Sequence, residues 1–179
     1  MGAKLIGGAF LNWLYNDVIS HVPIHFIRKS FLRLGNTKIS KSSRILLHSR
    51  FLNFWNIEIG DRVVINQYCL LDCRMFKITI ANDSDIGPYT RIWTLGHNPD
   101  SDSHAVSGKN VVIEDHVWIA SGVTILPGVT LKRGAVVASA SVVVKDVAEK
   151  TIVAGNPAKF VRNRNNDLTY TLNYNPLFD

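Results

Sequence analysis

Residues 113–148 read IEDHVW, IASGVT, ILPGVT, LKRGAV, VASASV and VVKDVA, six successive blocks of six. Each block opens on an aliphatic residue: Ile113, Ile119, Ile125, Leu131, Val137, Val143. Four places later stands a small or β-branched one: Val117, Val123, Val129, Ala135, Ser141, Val147. A helix repeats every 3.6 residues and a half-buried strand every second residue, so neither yields a strict period of six. Short units of this kind cannot bury an apolar face alone, and they gain a continuous core only by stacking.

The rhythm extends toward the N-terminus. Ile59, Ile65 and Leu71 carry Val63 and Cys69 at the following small place, and Ile80 and Ile86 carry Ser84 and Thr90. Ile92 continues the series, and Ile39 and Ile45 begin it. Nine residues separate Leu71 from Ile80, so a short insertion bulges out there. Each hexad supplies one short strand and one turn. The large aliphatic residue points inward, the small one fits the corner, and residues such as Gly60, Gly87 and Gly128 suit the turns. Three such sides close one coil.

Composition sets outer limits. A chain of 179 residues with 46% hydrophobic and 19% charged residues suits one globular domain rather than a disordered chain. No run approaches the ~20 apolar residues of a membrane span, and charges interrupt the apolar runs at the start as no secretory signal would allow. These features predict a cytoplasmic protein. Cys69 and Cys73, four apart, match neither a zinc ribbon nor a disulfide framework and are expected to be packing residues.

Charge is uneven. Of the net +6, residues 1–50 hold a local +7, from Lys4, Arg28, Lys29, Arg33, Lys38, Lys41, Arg44 and Arg50 against Asp17. A basic end favours an anionic partner, but no nucleic-acid motif accompanies it, so no nucleic acid is expected. Ile6, Ala9, Phe10, Trp13, Leu14 and Val18 fall at helical spacing. After Pro23, Ile24, Ile27, Phe31 and Leu32 share a stretch with Arg28, Lys29 and Arg33. Two short helices within a cap of residues 1–38 are expected, closing the open end of the solenoid. A sharper expectation is peripheral contact of residues 1–35 with the inner membrane face. The polar, aromatic tail 163–179 receives no role.

Between Ile92 and Ile113 the hexads stop, and a loop over 93–112 is polar and rich in turn formers. Long loops thrown out of a regular scaffold are usually functional. This one holds His97, His104, Asp100 and Asp102.

Residues 39–162 resemble the hexapeptide-repeat acyltransferases, in particular the galactoside and maltose O-acetyltransferases and the capsular polysaccharide O-acetyltransferases. The resemblance rests on the hexads and on Gly96-His97-Asn98-Pro99, about one coil before Val117-Trp118-Ile119. The closing Ala154-Gly155-Asn156-Pro157-Ala158 adds to it. It implies an all-β, left-handed parallel β-helix; the hand comes from the family, since parallel crossovers are ordinarily right-handed. It further implies a homotrimer with sites between subunits, acetyl-coenzyme A as co-substrate and no metal.

Site residues follow from the resemblance one by one. His97 matches the general base, and Asn66 and Asp72 match acceptor-binding residues. Ser121 matches the oxyanion contact, and Trp118, Ser121, Ser139, Val144, Lys145, Lys159 and Arg162 match the coenzyme site. Asp100, Asp102 or a backbone carbonyl could orient His97, while His104 suits a loop-stabilising role. Val137-Ala138-Ser139-Ala140-Ser141 and Ile119-Ala120-Ser121 put methyl groups where relatives often have glycine, which narrows the expected donor groove. The implied activity is transfer of acetyl to a sugar hydroxyl in surface or capsular polysaccharide biosynthesis. N-acetylation of an amino sugar, a non-catalytic scaffold and a zinc carbonic anhydrase using His97, His104 and His116 are the alternatives.

Overall fold

The aliphatic residues that open the hexads all point inward. Ile45, Ile65, Leu71, Ile86, Ile92, Ile113, Ile119, Ile125, Leu131 and Val137 are completely buried, each such side chain contributing about 1.5–3 kcal/mol. The computed structural model describes residues 3–34, 37–176 and 178, with side chains from residue 6. Parts of the expected cap (residues 1, 2, 35, 36 and the side chain of Lys4) and of the tail (177 and 179) lie outside the described residues.

The strands form three parallel sheets, the faces of a prism. The first face stacks Lys38–Ile39, Ile57–Ile59, Ile78–Ile80, Val111–Ile113 and Thr130–Leu131. The second stacks Arg44–Ile45, Val64–Ile65, Asp85–Ile86, Trp118–Ile119, Val136–Val137 and Thr151–Ala154, and Lys159–Asn163 pairs antiparallel at its end. Arg50–Leu52, Leu70–Asp72, Arg91–Trp93, Thr124–Ile125 and Val142–Val143 make the third. We call the corner between first and second faces the first corner, that between second and third the second, and the return to the next coil the third.

Corner chemistry explains the hexad. The residue before most small inward residues is left-handed: His48, Tyr68, Tyr89, Gly122 and Ala140 at the second corner, and Arg62, Asp83, His116 and Gly134 at the first. Glycine fits that conformation at no cost, and other residues adopt it where packing holds them. Gly128 at the third corner is such a glycine, as expected. Gly60 and Gly87 are not. They permit close approach between coils, because a Cβ on Gly87 would lie 2.6 Å from the Ala120 carbonyl carbon, and one on Gly60 2.6 Å from Asn82 Oδ1. Cys69 and Cys73 are buried packing residues, and burial pushes the Cys69 thiol up to about 12.

A solenoid's first coil has no neighbour above it, which leaves strand edges unpaired. Helices Ala3–Asp17 and His25–Leu34 cover this edge, and their polar side chains stand in for the missing coil. Asn16 donates to the Phe51 carbonyl and accepts from the Phe51 N–H. His25 Nε2 accepts from Ile45 N–H at 3.1 Å, and buried Arg28 donates to the Ile45 carbonyl. Tyr15 and Leu32 extend the core above Phe51 and Phe54.

The tail is a strap along the first corner, a role the sequence did not reveal. Arg164 donates to the carbonyls of His116 and Gly134, and Leu168 fills the space beside Gly134. His116 Nε2 meets the Tyr170 carbonyl, Leu172 N–H reaches Asp83, Asn175 meets Arg44, and Phe178 bridges to Ile24.

Candidate active site

All three insertions into the rhythm fall at the third corner: residues 53–56, 73–77 and 94–110. The last opens as a hairpin, Leu95–His97 paired antiparallel with Val106–Gly108. Its base is tightly fixed. Buried Thr94 donates its hydroxyl to the Asp72 carbonyl at 2.6 Å, and Thr94 O accepts from Lys109 N–H. A Cβ on Gly108 would collide with the Thr94 carbonyl and lie 2.7 Å from the Phe76 ring, so only glycine passes there.

His97 sits at the end of the first hairpin strand and is exposed. Its Nδ1 lies 2.8 Å from the His104 carbonyl. A carbonyl can only accept, so Nδ1 carries the proton and Nε2 keeps a free lone pair. The His104 ring stacks on His97 at 3.8 Å and 11°, fixing its plane. His104 itself is left-handed, which turns its carbonyl inward. Of the three orienting groups left open by the sequence, the backbone carbonyl is therefore the one in place. Asp100 contributes its N–H to Asn98 Oδ1, bracing the turn, and neither Asp100 nor Asp102 has its carboxylate bonded to His97.

Asn66 follows the second-face strand Val64–Ile65 at the second corner, whereas Asp72 ends the third-face strand Leu70–Asp72 at the third. Asn66 Nδ2 donates to Asp85 Oδ1 at 2.9 Å and to the Ile86 carbonyl at 3.0 Å. Burial holds the Asp85 carboxyl above its ordinary value, and the Asn66 bond opposes this. Asp72 is fully buried, with Arg74 paired to both its oxygens at 2.9 Å. Half-exposed Arg74 also lines a groove of about 600 Å³ between the first helix and the third corner, beside Asn12, Leu52 and Trp55. Asp85 and Arg74 escaped the sequence reading, because a carboxylate or guanidinium at a hexad's outer position resembles ordinary surface.

Ser121 and Ser139 occupy the second corner in successive coils, joined by an Ala140 N–H to Ser121 carbonyl bond of 2.9 Å. Both are exposed, as is Ala140, whose methyl stands at this edge. Half-exposed Trp118 lies on the adjoining second face between Asp85 and Val136. Val144 and Lys145 follow the last third-face strand, so they share the third corner with the His97 hairpin. Lys159 and Arg162 lie exposed on the closing strand. One chain thus places the expected site residues in two groups, His97, Val144 and Lys145 at the third corner and Ser121 and Ser139 at the second. His116, bonded to the tail at the first corner, is not part of either.

No family model matches the chain. A Saccharomyces cerevisiae protein named for an inferred acetyltransferase activity is 37% identical over 123 residues, 66% of this chain and 62% of that protein. The chain spans only 56–64% of the length of the first three curated relatives it matches. Among solved structures, a hexapeptide-repeat acetyltransferase from Vibrio cholerae complexed with acetyl-coenzyme A superposes with a TM-score of 0.79 at 29% identity. The match covers 92% of this chain and 91% of that one. A maltose O-acetyltransferase from Clostridium difficile gives 0.76 at 26%, covering 92% and 90%. Coil geometry and these likenesses define a hexapeptide-repeat β-helix protein. Within that class, the chain is similar to the hexapeptide-repeat acetyltransferases.

Proposed function

We propose that this protein transfers acetyl from acetyl-coenzyme A to a sugar hydroxyl by direct attack within a ternary complex. The observation that carries the reading is the His97 Nδ1 to His104 carbonyl bond, which leaves Nε2 free to take a proton. The attacking hydroxyl gives its proton to Nε2 as its oxygen bonds the thioester carbon. The oxyanion so formed faces the Ser121 N–H, for which no carbonyl partner is present among the described residues. Collapse expels the coenzyme's thiolate, which takes the proton from the imidazolium and leaves as the free thiol. Acetyl esters are the product.

The donor fits between the second-corner edge of one copy, with Trp118 and Ser139, and the third corner of its neighbour, with Val144 and Lys145, and Lys159 and Arg162 supply cations for its phosphates. Because His97 and Ser121 lie at different corners, the complete site forms in a cleft between two copies of a homotrimer, one giving the hairpin and the other the serines. Asn66 keeps a carbonyl oxygen for the acceptor, while Asp72 acts through Arg74, whose remaining N–H groups face the groove. The acceptor belongs to surface polysaccharide synthesis at the inner membrane face. The first helix supports this by exposing Ile6, Phe10 and Trp13, although no described helix is long and apolar enough to cross a membrane.

The test is release of free thiol from acetyl-coenzyme A with free sugars, sugar nucleotides and surface polysaccharide as acceptors. Transfer to a sugar hydroxyl is expected. Acetylation of amino sugars alone, or no transfer at all, overturns the reading.

A further inference from the structure

Three glycines occupy left-handed corner positions in the regular coils, Gly122, Gly128 and Gly134. Two are covered by the chain's own side chains. The stem of Lys109 lies 3.2 Å from where a Cβ on Gly128 would stand, and Leu168 lies 2.5 Å from one on Gly134. Gly122 differs, because a Cβ there would meet nothing closer than 4.0 Å. Conformation does not demand glycine either, since the same corner carries His48, Tyr68, Tyr89 and Ala140 at similar left-handed angles.

What Gly122 interrupts is a ladder of rings. His48 stacks on Tyr68 at 4.8 Å and 16°, and Tyr68 on Tyr89 at 5.0 Å and 4°. These spacings follow the coil pitch of about 4.8 Å. Hydrogen bonds from Tyr89 N–H to the Gln67 carbonyl and from Gly122 N–H to the Pro88 carbonyl place Gly122 directly beneath Tyr89 in the same column. One face of the Tyr89 ring is taken by Tyr68. The other opens on the space that a fourth ring would fill, and Tyr89 is 54% exposed. Ser121, the proposed oxyanion contact, is the neighbour of Gly122.

We propose that this vacant rung seats the pyranose ring of the acceptor, stacked on the free face of Tyr89 with its hydroxyl directed at the thioester beside Ser121. The axial C–H groups of a pyranose carry slight positive charge and complement the negative face of an aromatic ring. Asn66, whose side-chain Oδ1 accepts no hydrogen bond among the described residues, stands at the same corner one coil above Tyr89 and two above Gly122, and its amide reaches down to Asp85 and Ile86 of the Tyr89 coil. Tyr89 is a positioning residue in this scheme, and the inference rests on the acetyltransferase reading given above.

The test uses the full-length protein with acetyl-coenzyme A and three probes: methyl β-glucopyranoside, methyl β-galactopyranoside and maltose. Tyr89→Ala should raise the acceptor KM about three- to tenfold and leave the KM for acetyl-coenzyme A unchanged. Tyr89→Phe, which keeps the ring, should restore the wild-type value. Gly122→Tyr should continue the ladder, retain the fold and coenzyme A binding, and abolish saccharide binding. An unchanged acceptor KM in Tyr89→Ala overturns the proposal, and so does a KM change confined to acetyl-coenzyme A, which would give the slot to the donor. If wild type acetylates none of these probes and none of the sugar nucleotides or surface polysaccharide named above, the acetyltransferase reading fails. Saturation-transfer NMR with the same saccharides then judges the slot separately. Binding by wild type but not Tyr89→Ala supports the seat, whereas equal binding by both, or none by wild type, removes it.

Discussion

The coils and the hairpin of residues 94–110 are constrained by different physics. In a coil nearly every residue answers to packing: an aliphatic inward residue, a small corner residue and a left-handed turn recur because the neighbouring coil dictates them. The hairpin answers to hydrogen bonds. Its outer residues, including His97, Asp100 and Asp102, carry no core contacts, and its shape depends on Asn98, Ser101 and the His104 carbonyl. The scaffold therefore tolerates little change in volume and much change in surface charge. For the hairpin the reverse holds.

The largest effect expected from this contrast is on rate. His97→Ala removes the proposed base and should lower turnover by about 10²–10⁴-fold. Its unfolding midpoint should stay close to wild type, since an exposed side chain outside the core changes stability by no more than about 0.5 kcal/mol. Steady-state kinetics alongside thermal denaturation separates the two. Unchanged turnover would remove His97 from the mechanism, and a collapsed fold would show that the hairpin shares the packing rules of the coils.

A pair of identical substitutions sharpens the comparison at smaller magnitude. Gly87→Ala drives a methyl to 2.6 Å from the Ala120 backbone, where only movement of a whole coil could relieve it, and a loss of about 1–3 kcal/mol is expected. Gly96→Ala, in the hairpin strand, meets open space within 4 Å and should change stability by no more than about 0.5 kcal/mol. Urea unfolding of both variants measures the difference. Equal losses would mean that the hairpin is as closely packed as the coils.

The same contrast explains what was legible in the sequence. The hexads could be read because Ile113 to Val143 obey one rule that local sequence states openly, although the left-handed winding needed a family resemblance. Phe51 was missed as an inward residue: an aromatic ring replaces the usual aliphatic one where the helical cap leaves more room. Gly60 and Gly87 were read as turn residues, whereas their role depends on atoms twenty or more positions away. His97 stood out by its neighbours, but its orientation by His104 depends on how the loop closes. The tail strap was invisible because its partners, Gly134, His116 and Asp83, lie scattered along another corner. Periodic packing is written locally, and long-range polar contacts are not.

The open edge of the first coil tests where packing rules give way to polar ones. His25 is buried with Nε2 accepting the Ile45 N–H, so it must be neutral to serve the cap. Burial, then the charges of Lys29, Arg28 and Arg44, lower it from 6.5 to about 4. Above pH 6.5 both folded and unfolded chains hold it neutral, and its contribution is constant. As pH falls from 6.5 toward 4 the unfolded chain binds a proton that the folded chain refuses, so stability declines across that window and levels off below it. Lys29, lowered to about 8 by burial and then by Arg44 and Arg33, acts in the same sense but only between pH 10.5 and 8, which keeps the two apart. His25→Gln retains an acceptor for Ile45 N–H and cannot take up the proton. The difference in melting temperature between wild type and His25→Gln, followed from pH 7 to 4.5, should therefore shift steadily in favour of the variant. A constant difference would mean that His25 does not serve the edge as a neutral acceptor, and that the Asn16 and Arg28 bonds together with Tyr15 and Leu32 hold the first coil without it.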